Sequence, residues 1–115
     1  VPFNFIKLKE KFFFETYRHL IEYGWPHRVL VYEDTDTADG YYTMVVIAFY
    51  DELRYFRHMH IPLPRLKIIA DGNAQPEYAE FAKLLLDEVN SNEAIRVPRT
   101  IYGKVPIKDI YDASK

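Results

Sequence analysis

The sequence predicts an α+β fold, in which an antiparallel sheet of about four to five strands carries two helices packed on one face. Three observations carry this expectation. Phe13, Tyr17, Leu20 and Ile21 recur at helical spacing ahead of Gly24. Tyr78, Phe81, Ala82, Leu85 and Val89 repeat the pattern further on. Between them, Tyr41 to Tyr50 centres on Val45, Val46 and Ile47 and is apolar on both faces, as a central strand is.

The elements follow in order. Val1 to Leu8 sets Phe3 and Phe5 against Asn4 and Lys7, an alternation that suggests a short strand. Lys9 to Tyr23 is the first helix, stopped by Gly24 and then by Pro26. His27 to Glu33 is rich in β-formers, and the short polar side chains of residues 34–40 close it with turn chemistry. After the strand Tyr41 to Tyr50, Asp51-Glu52 turns the chain and Leu53 to Ile61 runs back. Pro62 and Pro64 end that strand or hold it at an edge. Leu66 to Ala70 suggests a further short strand closed by Asp71-Gly72. Pro76 suits the first turn of a second helix, with Glu77 and Glu80 favourable near its positive end. That helix runs to about Asn90. Beyond it, Pro98, Gly103 and Pro106 interrupt β-branched residues, so residues 94–115 read as an extended C-terminal segment with one edge strand. A ferredoxin-like sandwich with an extra hairpin is one arrangement this order allows.

With 115 residues, 49% of them hydrophobic, the chain builds its own core, and residues 1–115 are expected to form a single domain. The absence of cysteine removes disulfides, thiolate metal sites and thiol catalysis. A net charge of −2 argues against a dedicated nucleic-acid binder. The longest apolar run, Met44 to Tyr50, is far short of a membrane span, and no leader is recognisable. A soluble, cytoplasmic protein that does not engage a membrane is the resulting expectation.

The most suggestive side chains are His58 and His60. On a strand they share a face with Phe56 and Arg54. Two imidazoles side by side on a rigid strand can chelate a divalent cation. A two-residue turn at Asp51-Glu52 would place Val45 and Thr43 opposite them, so a third ligand would come from elsewhere: His19, His27, Glu33 or an acid of the 34–39 loop. The commoner role of such a pair is a polar strand face meeting acids or water. His58-Met59-His60 resembles the His-hydrophobic-His motif of the HUH single-strand nucleases. That resemblance implies a divalent metal on the two His and a nucleophilic Tyr on a following helix. Tyr78, with Lys83 five residues later, is the residue here that matches.

Asp34, Asp36, Asp39 and Gly40 look like part of a calcium loop, but the fifth and twelfth positions hold Ala38 and Val45. The pattern fails there, leaving a solvated turn. No Gly-rich phosphate loop and no placed Ser nucleophile appears.

Two function classes follow. The first is a small non-catalytic protein-binding or assembly module without a cofactor, meeting another protein or its own copy. It would use a Tyr-rich sheet, since ten Tyr are present, and the extended tail. Arg54, Arg57, Arg99 and Tyr102 are its candidate partner contacts. The second is a divalent-metal-dependent phosphodiester enzyme centred on His58 and His60, with Arg54 or Arg57 available for phosphate.

Overall fold

The computed structural model describes residues 3–33, 43–98 and 104–114. Within them the chain runs α1 (Phe3–Glu22), β1 (Arg28–Glu33), β2 (Met44–Tyr50), β3 (Phe56–Pro62), α2 (Leu63–Ala70), a 3₁₀ turn (Pro76–Tyr78), α3 (Ala79–Val89), β4 (Ile95–Pro98) and α4 (Ile107–Ala113). The α+β class holds. The sheet, however, has four strands in the order β3-β2-β1-β4, and it is mixed. β1, β2 and β3 form an antiparallel meander, whereas β4 lies parallel to β1, with Leu30 opposite Ile95. The chain leaves β3 at one edge, crosses the sheet through α2 and α3, and returns at the other edge, and a helical crossover of this kind delivers a parallel strand. This order gives no support to a ferredoxin-like layout.

α1 starts six residues earlier than the helix expected from Lys9, so residues 3–8 are helical rather than a strand. Phe5 and Leu8 lie about one helical turn apart, and the helix period wins over the short alternation of residues 3–5. The C-terminal stop is the expected one. Gly24 takes φ +61°, its N–H donates to the Ile21 carbonyl at 3.2 Å, and the Trp25 N–H donates to the Leu20 carbonyl at 2.8 Å. This double closure is the Schellman arrangement, which a residue without Cβ adopts without strain. Residues 66–70, expected as a strand, belong to α2. Pro64 stands in its first turn, where the missing N–H costs nothing.

The sheet buries both faces. On the first, Phe13, Phe14, Tyr17 and Leu20 of α1 meet Leu66 and Ile69 of α2, Ala82, Leu85 and Val89 of α3, and the strand residues Val31, Val45, Ile47 and Ile61. On the second, Leu30, Tyr32, Val46, Ala48 and Val97 pack with Tyr111 of α4. Helices therefore occupy both sides, three on one and a short one on the other. The second strand, apolar on both faces, could not have been served by helices on one face alone. The C-terminal segment is consequently not extended throughout: it contributes β4 and then folds back as α4 over the Tyr-rich side of the sheet.

Two polar networks tie the helices down. Glu10 of α1, 8% exposed, accepts hydrogen bonds from Arg65 Nε at 2.6 Å and Nη2 at 2.9 Å, and from Gln75 Nε2 at 2.6 Å. Its desolvation is offset by a two-pronged charge-assisted bond joining α1 to α2. Glu88 of α3 accepts from the Tyr17 hydroxyl at 2.5 Å and pairs with His27 Nε2 at 2.8 Å. His27 Nδ1 faces the Trp25 carbonyl at 3.2 Å. Both ring nitrogens face acceptors, so only the imidazolium satisfies both. Consistently, the hydrogen bond to Glu88 raises the His27 pKa above its usual range. Against the effect of burial, the bonds from His27 and Tyr17 hold Glu88 below its own. The Tyr17 hydroxyl, buried and bound to a carboxylate, is held neutral. Among the described residues no helix is long and apolar enough to cross a membrane.

Candidate interaction site

The β2–β3 connection is longer than a two-residue turn. Tyr50 pairs with Phe56, leaving residues 51–55 between them. Asp51 organises this loop. Its N–H donates to the Tyr55 carbonyl and its carbonyl accepts from the Arg54 N–H, each at 2.9 Å. Its carboxylate accepts from the N–H groups of Leu53 and Tyr55 at 2.9 Å and from Arg57 Nε at 3.0 Å. The backbone N–H of Tyr55, helped by Arg57 and the Leu53 N–H, lowers the Asp51 carboxyl below its ordinary range. An Asp that bonds the backbone two residues on is an Asx turn, the signal available in the sequence at this position.

The consequence is a loop whose backbone is fixed and whose side chains face water. Arg54 is held at φ +67°, a left-handed conformation that a residue with Cβ occupies only when its surroundings impose it. Leu53 is 76% and Tyr55 61% exposed, and the Arg57 guanidinium lies 6.0 Å from the Tyr55 ring centroid. Tyr and Arg are among the residue types that dominate recognition surfaces, and a fixed backbone lowers the cost of engaging them.

Trp25 forms a wall beside the loop. Its indole N–H donates to the Tyr50 carbonyl at 2.6 Å. A recess of about 300 Å³ lies between the end of α1 and the loop, with His19 and Leu53 at its sides. A second, of about 460 Å³, shares Trp25, Asp51 and Glu52 with it and reaches Arg54 and Tyr111. Tyr50, Phe56 and Tyr111 interlock edge to face on that side, and the Tyr50 hydroxyl donates to Asp112 at 2.8 Å. Along α1, Phe5, Leu8 and Phe12 form an exposed stripe on the side away from the core, and Tyr23 continues it beside His19. α1 is thus apolar on part of its outer side as well as on its core side.

The structure brings His58 and His60 together on edge strand β3, both exposed and on one face. The longer loop changes their register: Ala48 and Val46 lie opposite them, in place of Val45 and Thr43. Among the described residues no group of three or more His, Asp or Glu side chains could hold a metal. Tyr78 is not brought to the pair. It belongs to the first-face core, 9% exposed, its ring stacked on Phe14 with centroids 5.1 Å apart. The His pair faces the second side of the sheet. Burial raises the Tyr78 pKa, opposite to the direction that would activate a phenolic nucleophile. Lys83 is exposed on α3 and pairs with Glu80 at 3.5 Å. Arg54 lies in the loop and Arg57, at the start of β3, bonds its Asp51, while Arg99, Tyr102 and the acidic residues 34–39 lie outside the described residues.

Comparison of the chain with protein-family models, with curated proteins and with solved structures finds no match.

Proposed function

We propose that this chain is a non-catalytic assembly module whose partner is a second copy of itself, engaged through the β2–β3 loop. The observation that carries the reading is the Asp51-locked loop that holds Leu53, Arg54 and Tyr55 out in solvent. The backbone that carries these side chains is already ordered by folding, so that part of the cost is not met again on binding. The same chain carries an exposed apolar stripe on α1. Tip and stripe together supply both halves of a contact between copies. A cytoplasmic location belongs to the same proposal. A phosphodiester enzyme centred on His58 and His60 would need its nucleophile on their side of the sheet, and Tyr78 lies on the other.

The test is sedimentation equilibrium of the wild type and of Leu53→Ser/Arg54→Ser/Tyr55→Ser over a wide concentration range. All three side chains are exposed, so the variant keeps the melting temperature of the wild type. Concentration-dependent association of the wild type that the triple variant loses supports the loop as the contact. A wild type that stays monomeric, or a variant that associates equally well, overturns it.

A further inference from the structure

At the opposite end of the sheet from that loop, α1 and the last residues of β3 enclose an open recess of about 280 Å³. Its walls are apolar: Phe5, Ile6 and Phe13 from α1, Met44 from β2, and Ile61 from β3. Two basic residues, Lys9 and His60, also line it. The recess sits at the end of the sheet, taking Phe13 and Ile61 from the first-face side and Met44 and His60 from the second. The third polar group, the Glu10 carboxylate, is already compensated by Arg65 and Gln75 and presents no open negative charge. An apolar hollow with a few convergent polar groups is the common form of a small-molecule site. The volume sits near the lower edge of the roughly 300–1,000 Å³ such sites span, so it suits one slender chain rather than a bulky cofactor.

We propose that this recess binds a single-chain amphipathic carboxylate, with the chain against Phe5, Ile6, Met44 and Ile61 and the carboxylate between Lys9 and His60. The charge pattern selects the sign of the ligand. Lys9, its ammonium 5.5 Å from the Phe5 ring centroid, and His60 line the recess, and His58 lies two residues away on the same face of β3. The carboxylate on this side, Glu10, is already paired with Arg65 and Gln75. Burial, Lys9 and His58 all lower the His60 pKa. An arriving anion offsets the repulsion, so His60 takes up a proton as the ligand binds and affinity rises as pH falls through its range. His60, which the sequence offered as half of a metal pair, acts here as an anion contact.

The experiment is titration calorimetry of the full chain with octanoate, decanoate, decanesulfonate and decyltrimethylammonium below their micellar concentrations. Decanoate and decanesulfonate are expected to bind at one site per chain, and the quaternary ammonium ion is not. Each added methylene is expected to tighten binding by up to about fourfold while the recess is filling. Lys9→Gln/His60→Gln replaces two exposed side chains and keeps the fold, as its melting temperature checks. It is expected to weaken decanoate by about tenfold or more, the scale of one charge-assisted hydrogen bond. Decanesulfonate, whose head group does not titrate in the working range, is expected to bind more tightly at pH about 5.5 than at pH about 8 if His60 is the contact. Equal binding of the cationic ligand, unchanged binding by the double variant, or no saturable binding of either anion overturns the proposal.

Discussion

Asp51 and Tyr55 bond to each other twice. The Asp51 N–H donates to the Tyr55 carbonyl, and the Tyr55 N–H donates to the Asp51 carboxylate, both at 2.9 Å. The loop is thus closed by backbone and side chain of the same residue. Asp51→Ala leaves one closure and removes the other, together with the Leu53 and Arg57 bonds. Amide exchange at Leu53 and Tyr55 is expected to accelerate by about tenfold, while protection in β1 stays unchanged. Because the folded pKa of Asp51 lies below its ordinary 3.8, its contribution is present above 3.8 and is lost as pH falls through the lowered value. Exchange measured as a function of pH checks this. Loop protection that stays level below that value would contradict the role given to the carboxylate.

The His27–Glu88 pair sets a pH window. The folded pKa of His27 is raised, so its stabilisation is complete below the ordinary 6.5 and is lost as pH rises through the raised value. That of Glu88 is lowered, so its contribution is present above 4.5 and is lost as pH falls through the lowered value. The melting temperature is expected to peak between these limits. His27→Gln should cost about 1 kcal/mol near pH 6 and flatten the alkaline fall, as thermal unfolding across pH will measure.

Glu10 and Arg65 make a largely buried ion pair, at 2.6 Å. Arg65→Met leaves a buried carboxylate with only Gln75 beside it and is expected to cost about 2–4 kcal/mol. Glu10→Leu/Arg65→Met should recover much of that loss, since no uncompensated charge remains. Chemical denaturation of the two variants makes the comparison, and a double variant no better than the single one would contradict this account.

Tyr78 offers a direct contrast between packing and chemistry. Its ring stacks on Phe14 in the core. Tyr78→Phe keeps the ring and is expected to change stability by less than about 0.5 kcal/mol, whereas Tyr78→Ala opens a cavity costing about 3 kcal/mol. Urea unfolding distinguishes these values.

The outer stripe of α1 behaves in the opposite way. Leu8→Ser/Phe12→Ser removes side chains that are 64% and 68% exposed. Stability is expected to change by less than about 1 kcal/mol, while solubility at high concentration rises. A large loss of melting temperature would place these residues in contacts other than those described.

Local signals in the sequence were readable wherever one residue fixes one conformation. Gly24 stops α1, Pro76 opens the turn before α3, and the two-faced run through Val45–Ile47 became a strand hydrogen-bonded on both sides. What failed depended on distant partners. The run Leu66–Ala70 is too short for periodicity to separate helix from strand, and packing against α3 decided it. Phe5 is apolar without being core, so counting it as part of an inward strand face misassigned the first residues. The turn at Asp51 was located, but its length rests on side-chain bonds to Leu53, Tyr55 and Arg57, and that length shifts His58 and His60 to new neighbours. Tyr17, His27 and Glu88 meet only after folding, and nothing in their spacing announces it.

The parallel pairing of β1 with β4 has a consequence for synthesis on the ribosome. β1 gains its first neighbour, β2, almost at once, but the edge that will receive Ile95–Pro98 stays open until those residues have emerged. At roughly 5–20 residues per second the interval from Glu33 to Pro98 lasts on the order of several seconds. Throughout it Leu30 and Tyr32 lack the cover of Val97 and Tyr111. The nascent chain therefore passes through a stage with a naked hydrogen-bonding edge and a bare apolar surface. Its yield in cells should depend on how well that stage is shielded as well as on the stability of the finished domain.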